Sequence, residues 1–179
     1  MLSKDRAILM LIDVQGNLAR AMHERESLFR QLQILVRGAR ILELPMIWLE
    51  QNPQGLGPTI PELAQLLPDQ KPLPKMSFSA MGCPEAVQAL RASGRRQVLL
   101  AGIEAHVCVY LTAVDLLARG YEVETVADAV SSRSAENKRI GLNKIAALGG
   151  GVTCTETVLF EFLGRAEGPA FKAILQLLK

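Results

Sequence analysis

The residues Ala7-Ile8-Leu9-Met10-Leu11-Ile12 form six apolar positions without a break, and the run ends at a carboxylate, Asp13. A strand with one solvated face alternates apolar and polar residues. A short unbroken run is instead covered on both faces, as in a parallel sheet sandwiched between helices. Two similar runs follow, Met46-Ile47-Trp48-Leu49 and Gln97-Val98-Leu99-Leu100-Ala101. Between the first two, Leu28, Leu32, Leu35, Val36, Ala39 and Leu42 recur at close to helical spacing from Arg25 to Leu44, and Pro45 stops the pattern. Strand, helix and strand in succession predict an α/β fold of three layers around a parallel sheet.

The rest of the chain continues the alternation. A helix is expected over 84–92, with Pro84 suited to its first turn and Gly94 to its exit. Strand 97–101 leads into a helix over 106–119 that ends at Gly120. Strand 122–127, helix 135–148 with Gly149-Gly150-Gly151 behind it, and a short strand 152–154 come next. A helix from Glu156 carries Phe160 and Leu163, and the last helix spans 169–178. From Asn52 to Met76 the chain holds Pro53, Pro58, Pro61, Pro68, Pro72 and Pro74, which reads as a long irregular segment with one short helix at 60–66. Loops of that length in a compact domain are usually functional. There is no internal repeat, and residues 1–179 read as a single domain.

Composition excludes several function classes. The formal net charge is +2, with basic and acidic residues interspersed, so no nucleic-acid partner is expected. Met1 to Arg6 is polar and the following run stops at Asp13, which fits neither a signal peptide nor a membrane span. Cys83, Cys108 and Cys154 are odd in number and far apart, as in a reduced cytoplasmic protein. His23 and His106 are the two histidines. Without an H-x-x-H pattern no metal is expected, and without a G-x-G-x-x-G or a P-loop no nucleotide cofactor is. Phe171, Ile174, Leu175, Leu177 and Leu178 on the last helix would suit an interface in a homo-oligomer.

In an open parallel sheet, sites form at the carboxyl ends of strands near the point where strand order reverses. Asp13 ends the first strand, Cys108 begins the helix after the strand at 97–101, and Lys75 closes the proline-rich segment. Carboxylate, ammonium and thiol are the parts needed to generate and use a sulfur nucleophile. The start of a helix and a nearby Lys75 would each lower the thiol pKa. Other readings stand beside this one: Cys108 as a small buried hydrophobe, Asp13 as a turn cap, Lys75 as a solvated loop residue. Cys83 and Cys154 read as structural, and His106 as a helix-start residue satisfied by backbone or solvent.

Five stretches in order resemble the isochorismatase-like cysteine hydrolases. They are Leu11-Ile12-Asp13-Val14-Gln15, Leu73-Pro74-Lys75-Met76-Ser77-Phe78-Ser79, Gly102-Ile103-Glu104-Ala105-His106-Val107-Cys108-Val109, Asp128-Ala129-Val130-Ser131-Ser132-Arg133, and Thr155-Glu156-Thr157-Val158-Leu159-Phe160-Glu161. The resemblance implies a Rossmann-like fold with a six-stranded parallel sheet and a catalytic triad of Asp13, Lys75 and Cys108. It also implies a non-proline cis peptide at Ile103–Glu104, which would aim N–H groups near Glu104 and Cys108 at a developing oxyanion. The histidine cluster of the metal-dependent nicotinamidases is missing from the loop after the second strand, and true isochorismatases lack the cysteine. The expectation is therefore a metal-independent hydrolase of a small amide or related acyl compound, with Trp48, Phe78 and Tyr110 as pocket lining, Trp48 reading equally as a core residue of its apolar strand. The alternative is a member without turnover that serves as an oligomeric scaffold.

Overall fold

The computed structural model describes all 179 residues. Its centre is a six-stranded, all-parallel sheet in the order β3-β2-β1-β4-β5-β6. The strands are β1 (Ala7–Ile12), β2 (Met46–Gln51), β3 (Leu73–Lys75), β4 (Gln97–Ile103), β5 (Glu122–Ser131) and β6 (Gly151–Thr153). Every residue of β1 and β4 is buried, as unbroken apolar runs require of central strands. Successive side chains leave opposite faces, so Leu9 and Leu11 enter one core while Ile8, Met10 and Ile12 enter the other.

Helices cover both faces. The elements α1 (Gly16–Arg20), α2 (Arg25–Ile41), α3 (Pro53–Leu56), α4 (Pro61–Ala64), α5 (Pro84–Ala92), α6 (Tyr110–Ala118), α7 (Ala135–Ala147), α8 (Thr155–Leu163) and α9 (Gly168–Leu178) complete the chain. Buried residues of α2 and α8 join the Leu9 and Leu11 face; those of α5, α6 and α7 join the other. No helix is long and apolar enough to cross a membrane.

Three expectations need correction. Segment 52–76 is not one irregular loop: it carries α3, α4 and the edge strand β3, in which Pro74 is tolerated because its missing N–H removes no bond a central strand would need. Strand β5 runs on to Ser131, four residues past the expected end. Of the apolar residues of α9, Ile174 is fully buried beside Ile34, Leu42 and Leu159 and Leu177 and Leu178 pack on the same cluster, while Phe171 and Leu175 stay half-buried outside it.

Candidate active site

Strand order reverses between β1 and β4, since β1 leads outward to β2 and β3 while β4 leads outward to β5 and β6. Asp13 leaves β1 at this point with a positive φ of 55°, buried to 1% exposure. A left-handed backbone at a non-glycine residue turns the chain sharply there. The carboxylate does not cap a helix. Its Oδ2 accepts from Lys75 Nζ at 2.7 Å, and the two side chains form a buried ion pair. Oδ1 is buried and accepts no well-formed hydrogen bond.

Lys75 comes from the end of β3, two strands away, and is buried too. Its ammonium faces four acceptors: Asp13 Oδ2, Gln51 Oε1 at 2.6 Å, Ser77 O at 3.2 Å and Phe78 O at 3.1 Å. An ammonium has three protons, so this environment is built for the charged form. Gln51 in turn donates its side-chain Nε2 to Met76 O, and its backbone N–H to Gln15 Oε1 at 2.6 Å. Gln15 Nε2 closes the network by donating to Gln51 O and Gly57 O. Gln15 and Gln51 thus fix the ends of β1 and β2 to the segments around 57 and 76. In the sequence Gln51 is the second polar residue after the apolar run Met46–Leu49, at the end of β2, the position from which a strand of a parallel sheet presents a side chain to the site.

Cys108 is buried on the other side of the switch point. It does not lie in the first turns of the α-helix. The segment Ala105–Val109 forms a π-helical turn, and α6 starts at Tyr110. Gly102 makes the approach possible. With φ at +116°, a Cβ there would stand 2.0 Å from Ile12 O, so only glycine lets β4 pass β1 at the level of Asp13. The Ile103–Glu104 peptide is cis, as expected. Behind the turn, α7 packs so closely that a Cβ on Gly141 would meet Ala105 O at 2.5 Å.

The thiol lies close enough to Asp13 for each group to shift the other's proton affinity. Burial, and then the negative charge of Asp13, push the Cys108 thiol up to about 12, with the Lys75 charge pulling the other way. The expected lowering is therefore reversed: desolvation of a buried thiolate outweighs one nearby cation. Burial also raises Asp13 above the usual carboxylate value, against the lowering by Lys75. The resting arrangement is a neutral thiol beside an ion pair.

Around this centre, the residues that follow β5 grip the turn that holds Cys108. Ser132 Oγ lies 3.0 Å from His106 Nδ1, a side-chain partner that was not expected for this histidine. The Arg133 N–H and Nε both donate to Glu104 Oε2, at 3.1 and 3.2 Å. The three expected lining residues fare differently. Trp48 belongs to the core on the opposite face from Cys108 and donates to Thr59 Oγ1 at 2.8 Å, so it lines no pocket there. Phe78 is 57% exposed, and what it brings to the site is its carbonyl on Lys75. Tyr110 is half-buried with Lys144 Nζ 4.2 Å from its ring centroid. Cys83 is buried, donating to Glu85 Oε2 at 3.4 Å, while Cys154 follows β6 instead of lying within it.

Comparisons with known proteins match this chain to a family. The isochorismatase domain model matches residues 7–157. The chain is 41% identical over 179 residues to isochorismatase domain-containing protein 2 of Danio rerio, covering 99% of this chain and 89% of that one. It is 46% identical over 148 residues to isochorismatase domain-containing protein 1 of Salmo salar, covering 82% of this chain and 52% of the longer relative. The chain thus spans about half the length of that protein. Among solved structures, MAR1 ribonuclease from Caenorhabditis elegans superposes with a TM-score of 0.92 at 34% identity, covering 99% of this chain and 91% of the other. YcaC from Pseudomonas aeruginosa, with hexane-2,5-diol and covalent acrylamide, gives 0.91 at 25% identity over 98% and 90%.

Proposed function

Because the chain belongs to the isochorismatase family, a family of hydrolases, we propose that it is a cysteine hydrolase of a small amide or related acyl compound, with Cys108, Asp13 and Lys75 as its catalytic residues. The observation that carries the reading is the asymmetry of the Asp13 carboxylate. Oδ2 is fixed on Lys75, while Oδ1 is buried, lacks a well-formed hydrogen bond, and belongs to a group that interacts with the thiol. That oxygen is a base with a lone pair to spare.

In the first half-reaction the Cys108 proton passes to Asp13 Oδ1 as sulfur bonds to the substrate carbonyl carbon, and the carbonyl electrons move to oxygen. Since the thiol is held far from its ionised form, transfer and attack belong to one event driven by the bound electrophile. Lys75 keeps the pair neutral before the transfer and stays as the counter-charge afterwards. Backbone N–H groups near Glu104 and Cys108 serve the oxyanion. Collapse expels the amine, which takes the proton from Asp13 and leaves a thioester. Asp13 then deprotonates water, the hydroxide adds to the thioester, and the acid leaves as sulfur regains its proton. No step calls on a metal or an organic cofactor.

The acrylamide bound covalently in the Pseudomonas neighbour supports this reading, because acrylamide is an electrophile to which thiols add. The worm neighbour's ribonuclease name sets the competing substrate class. Ammonia release from a panel of small primary amides, run beside hydrolysis of a mixed RNA, decides between the two. We expect amide turnover that Cys108→Ala abolishes; RNA cleavage with no amide turnover, or turnover surviving in Cys108→Ala, overturns the proposal.

A further inference from the structure

Thr112 lies fully buried in α6, four residues beyond Cys108, on a helix whose Ala113 and Leu116 join the same core as the cysteine. Burying a hydroxyl costs free energy unless it is hydrogen-bonded, so packing alone would favour valine, which has the same shape. The hydroxyl of Thr112 is put to use instead. Its Oγ1 accepts from the Ala80 N–H at 2.9 Å, a contact between residues 32 apart in the chain.

Ala80 belongs to a segment wound tightly on itself. Ser77 Oγ donates to Ser79 O at 2.8 Å, and Met81 N donates to Ser79 Oγ at 3.1 Å. The N–H groups of Gly82 and Cys83 return to Ser79 O and Ala80 O. A Cβ on Gly82 would stand 2.6 Å from Ser77 Cβ and Oγ, so the two ends of the segment touch. Residues 77–83 are therefore built to move as one body. That body carries Ser77 O and Phe78 O, two of the four acceptors on Lys75. Beyond the Thr112 bond, its hydrogen bond toward α6 is a longer one at the far end of the helix, from Arg119 Nη2 to Met81 O at 3.4 Å.

We propose that Thr112 is a positioning residue of the catalytic centre: through the Ala80 N–H it holds the Ser77 and Phe78 carbonyls on Lys75, and so ties the ammonium to the helix that follows Cys108. This role rests on Asp13, Lys75 and Cys108 being the catalytic residues. The contacts close a ring. Asp13 joins Lys75, Lys75 joins the 77–83 segment, and that segment joins Thr112 and, through four residues of helix, Cys108. With the hydroxyl gone, the two carbonyls are free to draw back, and a buried ammonium keeps two acceptors for three protons. The charged pair is then less favoured against its neutral form, so Asp13 takes up a proton at higher pH.

Turnover of a small amide and the titration of Asp13 are followed in the wild type, Thr112→Val and Thr112→Ser. The titration is read by carbon-13 NMR of aspartate-labelled protein, with the Asp13 signal assigned by its loss in Asp13→Asn. Thr112→Val keeps the shape and removes the acceptor, whereas Thr112→Ser keeps the acceptor. We expect Thr112→Val to lower kcat by about tenfold or more at unchanged KM. The Asp13 midpoint and the acid limb of turnover should move to higher pH together, and Thr112→Ser should restore both. A hydroxyl that merely satisfied the Ala80 N–H would lower Tm in Thr112→Val and leave kcat per folded molecule and the Asp13 midpoint unchanged. That result overturns the proposal and leaves the catalytic residues standing. Turnover that survives in Cys108→Ala overturns the catalytic residues and the proposal together. The NMR titration needs no substrate, so an unmoved midpoint overturns the proposal even where no amide on the panel is turned over. Should Thr112→Val not fold, Thr112→Ala takes its place, since alanine also lacks the acceptor and is the best helix former. The same shifts then support the proposal, and an unmoved kcat and midpoint overturn it.

Discussion

Lys75 meets four acceptors with three protons, and one of them is a carboxylate as buried as itself. Removing one member of a buried pair leaves an uncompensated charge, at a cost of about 3–5 kcal/mol. Lys75→Met should therefore lower unfolding stability in denaturant by about that much, and Asp13→Asn combined with Lys75→Met should recover part of the loss. The same carboxylate sets the pH dependence. In the proposed mechanism Asp13 serves as base only when ionised, and burial holds its pKa above the ordinary value. Turnover should then fall as pH drops through a midpoint above 3.8. It should not climb between neutrality and pH 10 through thiol ionisation, since the thiol stands at about 12. Asp13→Asn separates the two groups. Losing the Asp13 charge lets the Cys108 pKa fall, so direct thiolate titration should show more thiolate while turnover drops by roughly 10²–10⁴-fold. Asp13, Lys75 and Cys108 were legible in the sequence as residue types at strand and loop ends. The sign of the thiol shift was not, because burial is set by distant chain segments that no local pattern reports. Ser132 and Arg133 stayed invisible as supports for the same reason: their partners His106 and Glu104 lie 26 and 29 residues away.

At the scale of elements, the turn that holds Cys108 is held from three sides. Gly102 lets β4 pass close to Ile12, the end of β5 bonds to His106 and Glu104, and Gly141 lets α7 touch the backbone at Ala105. A methyl group at Gly141 would have to displace backbone atoms 2.5–2.7 Å away, which no side-chain rotation can relieve. Gly141→Ala should therefore cost activity and Cys108 labelling before it costs the fold. That is seen as lost turnover with far-UV circular dichroism retained. Long apolar runs such as β1 and β4 declared themselves in the sequence because six or seven buried positions leave a clear pattern. Strand β3 did not, since three residues with a central proline carry no periodicity. Asp128 similarly ended the expected strand at Ala127 and hid the last four residues of β5. The α9 helix was legible as amphipathic, but the sequence could not say that its partners would be α2 and α8.

For the whole molecule, the order β3-β2-β1-β4-β5-β6 brings together groups that lie 62 and 33 residues apart along the chain, Lys75 from Asp13 and Cys108 from Lys75. A sheet that grows in both directions from β1 leaves a crevice at its reversal, where one side supplies the ion pair and the other the thiol and its turn. Two large cores, one on each face, fix that crevice, so its chemistry is set by rigid strands and not by mobile loops. The claim on which everything turns is that sulfur carries the acyl group between the two half-reactions. The protein should be mixed with an amide that it turns over, quenched in acid within the steady state, and digested for peptide mass mapping. The acyl mass is predicted on the peptide holding Cys108, lost in Cys108→Ala and released by hydroxylamine. Steady turnover with every Cys108 peptide unmodified, or the acyl mass on Cys83 or Cys154, would contradict it.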